Sequence, residues 1–476
     1  MSGERVILTL FAQVALILAL TRISGWIFSR FRQPQILGEM LAGIILGPSL
    51  LGWAAPQFYQ QLFPQESLQF LAILAQIGAV FFVFLIGLQL DPALVRTGGK
   101  SAAAIALSSI LFSFGLALLV TVLSFSWSTA LFIATALTAS SFPVLGRILS
   151  ERNLHRLQIG PISIAAAALS NLVTWAVVAA VIVIAHLSSR TLIAVAIYFA
   201  TLALLIRPFL NRLLLIHEQR GKLGHNVLAA IFFLLVLSSL TAHRIGLHAF
   251  FGALILGLLM PKNPKFIRHL SEKLQDLTHV FLLPVFLAYI GLNTNVALIN
   301  RPQMWGLSLL ILAIACIGKI GGTVFAARLS NIPWRDSTAV GVLLNTRGLM
   351  LVFIISIGLE LQLIPPAIFA ILVLIGLTTT AMTTPLLNSL YPAQSLAPEQ
   401  SSKPSGFSIL IPISLPKSGG PLVQIADALI GPARQIGKLL ALHLRRPNEN
   451  ESFHAPDAAE SEALIPLLSQ AQARSV

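Results

Sequence analysis

Long apolar runs, separated by short polar stretches, recur along most of this chain. The central one covers 157–186 and reads LQIGPISIAAAALSNLVTWAVVAAVIVIAH, without one Asp, Glu, Lys or Arg. A helix of that length crosses a bilayer. Twelve more runs satisfy the same length rule, near 6–28, 35–51, 68–90, 101–123, 127–149, 192–216, 226–242, 245–260, 277–292, 305–327, 338–358 and 365–387. The pattern predicts an all-α polytopic membrane protein with about 13 transmembrane helices. A membrane transporter domain over 1–391 is expected, followed by a cytoplasmic tail over 392–476.

The runs repeat weakly. Met40–Gly47 (MLAGIILG) resembles Phe250–Gly257 (FFGALILG), and Val83–Leu88 (VFLIGL) resembles Val285–Leu292 (VFLAYIGL). The two copies start on opposite sides of the membrane, so the repeats are inverted. Two runs are interrupted at matching places. The first is TALTASSFPVLGRI, where Pro143 removes a helix hydrogen bond and Thr138 and Ser140 supply hydroxyls. The second is NTRGLMLVF, where Asn345, Thr346 and Arg347 precede a glycine. Interrupted spans in corresponding positions of two repeats point to a binding site; a proline kink and a helix end are the plainer alternative.

Composition supports the membrane reading. The chain is 56% hydrophobic and 10% charged, with mean hydropathy +0.86, which excludes a soluble enzyme. The net charge of +14 does not call for nucleic acid, because the basic residues fall beside short loops. Every second loop is basic, from Arg30 and Arg32 through Arg147, Arg152, Lys262 and Lys273 to Arg335. The alternate loops hold only Arg190, Arg244 and Arg301. Positive charge stays in the cytoplasm, so the N-terminus is expected outside and the C-terminus inside. The first run lacks a signal-peptide layout. Cys316 is the one cysteine, so no intrachain disulfide exists.

The tail changes character. Segment 395–421 is rich in Ser, Pro and Gly and is expected to lack regular structure. Segment 421–446 fits a broken amphipathic helix whose basic residues suit an anionic leaflet. No glycine-rich nucleotide fingerprint follows a strand, and no nucleotide-binding domain is expected in cis.

Polar groups inside the spans carry the candidate chemistry. Ser170 and Asn171 sit mid-run and need partners in protein or a wet cavity. They line a site or join helices by hydrogen bonds. Lys319 lies mid-span, where a charge costs on the order of 3 kcal/mol, so it must face a cavity or a partner. Glu39 is the one carboxylate well inside a span, near its cytoplasmic start. No metal cluster or nucleophile–base pair stands out; His243 and His248 merely bracket a loop. No cofactor is called for.

Several motifs in order now carry a resemblance over about 6–390. They are Gln33-Pro34-Gln35-Ile36-Leu37-Gly38-Glu39-Met40 running into LAGIILGPSLLG, and Leu85-Ile86-Gly87-Leu88 before Asp91. Ser141-Phe142-Pro143-Val144-Leu145-Gly146-Arg147-Ile148-Leu149, Trp175, Gly318-Lys319 and Asn345-Thr346-Arg347-Gly348 complete the set. The chain resembles the bacterial monovalent cation:proton antiporters, the family of sodium/proton exchangers and potassium-efflux antiporters. The resemblance implies two inverted repeats with two crossing broken helices, and a homodimer in the inner membrane. It also implies a secondary active transporter that exchanges Na⁺ or K⁺ for protons by alternating access.

The departures are specific. Such families place an acidic or Asn-Asp pair a few residues before the Trp, where this chain has Ser170-Asn171. A second acidic position, three residues after the motif glycine, is Leu351. Ser170, Asn171, Thr138 and Ser140 remain as neutral cation ligands, and Lys319, with Glu39 behind it, as the proton-coupling group. The same fold moving an anion or organic acid, or serving as a transport-inactive regulator, is the alternative.

Overall fold

The computed structural model describes residues 3–90, 99–152, 154–185, 189–220, 223–391, 408–413 and 438–443. The chain divides into two units, Met1–Pro392 and Ala393–Val476.

Among the described residues of the first unit, every regular element is a helix. Its elements are α1 (Gly3–Arg30), α2 (Gln35–Leu46, extended to Ala54 by the short helix Leu51–Ala54 and followed by the short helix Pro56–Leu62), α3 (Gln65–Gln89), α4 (Gly99–Thr121), α5 (Trp127–Ala136), α6 (Phe142–Glu151) and α7 (Ile159–Ala185). Then comes α8 (Ser189–Thr201, a π-helical turn Leu202–Ile206, and Arg207–Arg220), followed by α9 (His225–Arg244) and α10 (Ala249–Leu259). Next are α11 (Pro264–Leu277, a π-helical turn Thr278–Leu282, and Leu283–Leu292), α12 (Pro302–Leu329), α13 (Trp334–Leu344), α14 (Gly348–Glu360) and α15 (Pro366–Leu390). Ten helices are long and apolar enough to cross a membrane, and an eleventh span follows if α13 and α14, bent by 41° at their junction, count as one. The expectation of thirteen therefore does not carry over as a count. The two other predicted spans correspond to α5, cut short by its break, and to α10, both shorter apolar helices.

The helices sort into two bundles. Helices α1, α2, α3, α9, α10 and α11 pack on one another, and α4 to α7 pack with α12 to α15. The first bundle shows the repeat directly. A Cβ on Gly38 would lie 2.4 Å from the Ser24 carbonyl oxygen of α1, and one on Gly252 would lie 2.4 Å from that of Ser238 in α9. Each glycine lets its helix touch the helix before it, at the same sequence separation. The next contacts are exchanged between halves. Gly43 of α2 would meet Ala288 and Gly291 would meet Gly43, both at 2.7 Å or less, while Gly257 of α10 would meet the Phe84 carbonyl of α3 at 2.4 Å. Each repeat's second helix thus packs on the other repeat's third helix, as a two-fold relation requires. Small residues permit this because membrane helices gain most from close backbone approach.

The second unit contributes a parallel pair of strands, β1 (Ser408–Ile413) and β2 (Lys438–His443), in register from Ser408↔Lys438 to Ile413↔His443. This corrects part of the helix expected over 421–446. Its described portion is a strand, because pairing with Ser408–Ile413 supplies main-chain partners from outside the segment. The rest of 421–446 lies outside the described residues, as does most of 395–421.

Candidate functional site

The second bundle is built around two chain breaks. Helix α5 ends at Ala136, and Leu137–Ser141 run unwound until Pro143 sits in the first turn of α6. Proline suits that place, since its missing N–H has no helical partner there. Helix α13 ends at Leu344, and Asn345–Arg347 separate it from α14, which Gly348 opens at φ +38. A side chain at that φ would be strained, so glycine fits. The breaks cross where the Ser141 N–H donates to the Thr346 carbonyl at 2.6 Å and the Ser140 hydroxyl donates to the Leu344 carbonyl at 2.8 Å. Thr346 is also joined to Thr383 of α15, hydroxyl to hydroxyl at 2.9 Å, and the Gly348 N–H donates to Thr380 Oγ1 at 3.0 Å.

An unwound segment leaves carbonyls without helical partners, and the end of α5 carries partial negative charge. Two cations take those carbonyls. Lys319 Nζ donates to the Thr138 carbonyl at 2.5 Å and to Ser170 Oγ at 3.2 Å. The Arg347 guanidinium donates to the Leu137 carbonyl, to the Ala315 carbonyl at 2.6 Å and, at 3.5 Å, to Asn345 Oδ1. Both side chains are fully buried. Ser113 Oγ also donates to the Leu137 carbonyl, at 2.9 Å. Lys319 reaches this depth because Gly318 and Gly322 let α12 press on α4. Added Cβ atoms there would lie 2.8 Å from Ser113 Cα and 2.7 Å from Phe112 Cβ.

Helix α7 presents two different faces. Ser170 meets Lys319, and Thr174, one turn on, meets Thr138 hydroxyl to hydroxyl at 3.0 Å. Asn171 lies on the neighbouring face with Trp175, whose ring meets Phe251 of α10 edge-on at 5.2 Å. Among the described residues, Asn171 Nδ2 and Trp175 Nε1 are buried with no hydrogen-bond partner, as is Arg347 Nε. The structure thus brings together Thr138, Ser140, Ser170, Lys319, Asn345, Thr346 and Arg347, with Pro143 at the start of α6. It leaves Glu39 on the other bundle, buried in α2 with Arg22 and Arg147 as the cations acting on it.

Sequence reasoning did not single out Thr174, Ser113 or Thr383. Thr174 was accessible from its spacing of four from Ser170; the other two depend on helix packing. Among the described residues, no group of three or more His, Cys, Asp or Glu could hold a metal. A separate cavity of about 290 Å³ lies between α8 and α9, near Tyr198 and Ser238, and contains none of these residues.

Crossed broken helices within a two-fold-related multi-span bundle are an architecture of secondary transporters. The sequence matches the family "sodium/hydrogen exchanger, transmembrane" over residues 15–389, and the chain belongs to that family. It is 35% identical over 405 residues to the Na(+)/H(+) antiporter NhaS4 of Synechocystis, covering 81% of this chain and 98% of that protein. It is 31% identical to K(+)/H(+) antiporter 1 of Saccharomyces cerevisiae, over 81% of this chain and 47% of that one. With Cation/H(+) antiporter 18 of Arabidopsis thaliana the figures are 35%, 80% and 48%. The chain thus spans about half the length of those two eukaryotic relatives. The sodium proton antiporter MjNhaP1 of Methanocaldococcus jannaschii shares the fold, at TM-score 0.59 and 15% identity, over 83% of this chain and 99% of that one.

Proposed function

We propose that this integral, multi-pass protein exchanges a monovalent cation, Na⁺ or K⁺, for a proton by alternating access. One observation carries the reading: Lys319 Nζ holds the oxygens that an alkali cation would need. Carbonyl and hydroxyl oxygens replace the hydration shell of such ions, and the Thr138 carbonyl and Ser170 Oγ both accept from Nζ. A protonated Lys319 fills these oxygens and repels a cation. A neutral amine frees them. Proton and cation exclude one another, which exchange requires, and no carboxylate is needed.

The relatives named as Na(+)/H(+) and K(+)/H(+) antiporters support this choice of ions. A homodimer, an inner-membrane location, an external N-terminus and a cytoplasmic tail after residue 391 complete the proposal. The test is proton flux into proteoliposomes with Na⁺, K⁺ and Li⁺ in turn. Cation-dependent flux in wild type and its absence in Lys319→Gln are expected; equal flux in both would overturn the role of Lys319.

A second reading has its own observation. The site holds two buried cations, and among the described residues Asn171 Nδ2 and Trp175 Nε1 have no acceptor, an arrangement that suits an anion. Flux that follows the anion and ignores the cation in the same vesicles would favour it. No flux with any ion would favour a regulatory protein.

A further inference from the structure

The two bundles meet through an aromatic contact. Phe353, in the middle of α14, stacks on Phe82 of α3 at 5.3 Å and on Phe286 of α11 at 4.7 Å, with Phe250 of α10 edge-on at 5.8 Å. Stacked and edge-on rings of this kind hold the helices at close packing distance. Glu360, two turns further along α14, adds a different kind of contact. Its Oε2 accepts from Gln76 Nε2 of α3 at 3.0 Å and lies 2.9 Å from His248 Nε2, at the start of α10. His248 is buried, with Glu360 at the edge of solvent.

The donor at His248 is set by the backbone. Its Nδ1 accepts the Phe250 N–H at 3.3 Å and caps α10. The ring proton of the neutral imidazole therefore sits on Nε2 and points at Glu360. A rigid, capped donor and an amide thus converge on one carboxylate oxygen from the opposite bundle. His243 of α9 stands beside them, its ring 6.5 Å from that of His248. By contrast, the pairs Arg147–Glu151 and Arg268–Glu272 each lie within one helix.

We infer that Glu360, gripped by His248 and Gln76, is a latch that holds the site-bearing bundle against the other bundle at this end of the molecule. The site, on α7, α12 and the two breaks, belongs wholly to the latched bundle. Any rocking of that bundle that opens this end must first part Glu360 from both donors. Glu360 is therefore a positioning residue for the conformational step, with no part in binding the ion.

The inference is separable from the choice of transported ion, because its main readout is distance. Spin labels at Phe70→Cys on α3 and Trp127→Cys on α5, in a Cys316→Ala background, report the gap between bundles near the latch. Charge-assisted hydrogen bonds are about twice as strong as neutral ones, so Glu360→Ala is expected to raise the population of the longer distance about tenfold. Gln76→Leu, at an exposed position, removes one donor and should give a smaller rise in the same direction. Unchanged distributions in both variants overturn the latch. As a second measurement, His248→Cys with Glu360→Cys, in the Cys316→Ala background and bridged by a short reducible bifunctional thiol reagent because the side chains meet only at their far ends, should stop transport until the bridge is reduced. Full transport with that bridge intact overturns the latch as well. A protein that transports nothing under any condition refutes the exchange reading, and the distance measurement still decides the latch.

Discussion

Lys319 Nζ lies 2.5 Å from the Thr138 carbonyl oxygen, although the residues come from helices α12 and the break after α5. The carbonyl is free because the break interrupts the helical ladder, and the ammonium is tolerated at this depth because that carbonyl receives it. Each solves a problem the other creates. The two chain features that look most costly in a membrane, an unwound segment and a buried charge, are one structure.

Removing the amine tests this pair. Lys319→Gln keeps a polar group but cannot carry a proton, and Lys319→Ala leaves the Thr138 carbonyl with no side-chain donor. Both are expected to lower cation-dependent proton flux by about 100-fold or more, the scale at which loss of a proton-transfer group is felt. Dequenching of a pH dye in proteoliposomes is the measurement. Retained pH-dependent exchange in both variants would move the coupling to Glu39.

A carboxylate returned to α7 should act differently at its two polar positions. Ser170 touches Lys319 whereas Asn171 faces the side of Trp175, because adjacent helix residues point about 100° apart. Ser170→Asp is expected to form an ion pair with Lys319 and slow exchange. Asn171→Asp is expected to add a cation ligand on the bundle-facing side and strengthen Na⁺- or K⁺-dependent flux. Identical ion selectivity in wild type, Asn171→Asp and Asn171→Ala would reduce Asn171 to helix packing.

The repeat contact between α2 and α11 leaves no room for a side chain. A Cβ on Gly291 would lie 2.3 Å from the Gly43 carbonyl carbon. Gly291→Val should therefore destabilise the fold by at least about 1–3 kcal/mol, the usual range for overpacking. Thermal unfolding in detergent should show a lower midpoint; an unchanged midpoint would mean that the two backbones do not touch.

Sidedness is tested with thiol reagents. Lys273, in the Pro264–Leu277 segment of α11, and Arg301, just before α12, are both exposed and belong to stretches of opposite charge class. In a Cys316→Ala background, an impermeant reagent added outside cells should label Arg301→Cys and spare Lys273→Cys. The reverse pattern would invert the orientation derived from the basic loops.

The tail should be dispensable for folding. Truncation after Ser401 removes most of the second unit, Ala393–Val476, so the membrane unit should still assemble with its basal flux. Loss of assembled protein would show that the core needs the tail.

The sequence by itself determined the membrane class, the multi-span helical unit and the two places where spans break. These follow from local rules: run length against bilayer thickness, proline and glycine chemistry, and the cost of a polar group in hydrocarbon. It also named Lys319, Ser170 and Asn171, because a polar residue inside an apolar run is visible without coordinates. The tertiary structure alone decided which of them meet. Helix rotation turned Ser170 to Lys319 and Asn171 away, and the length of each helix reduced thirteen runs to ten or eleven helices that pass as spans. It placed Glu39 on the other bundle, and it brought His248 to Glu360 across a long stretch of chain. Those relations depend on contacts between residues far apart in sequence. Apolar periodicity cannot encode them, because nearly every face of a membrane helix is apolar, whether it meets lipid or protein.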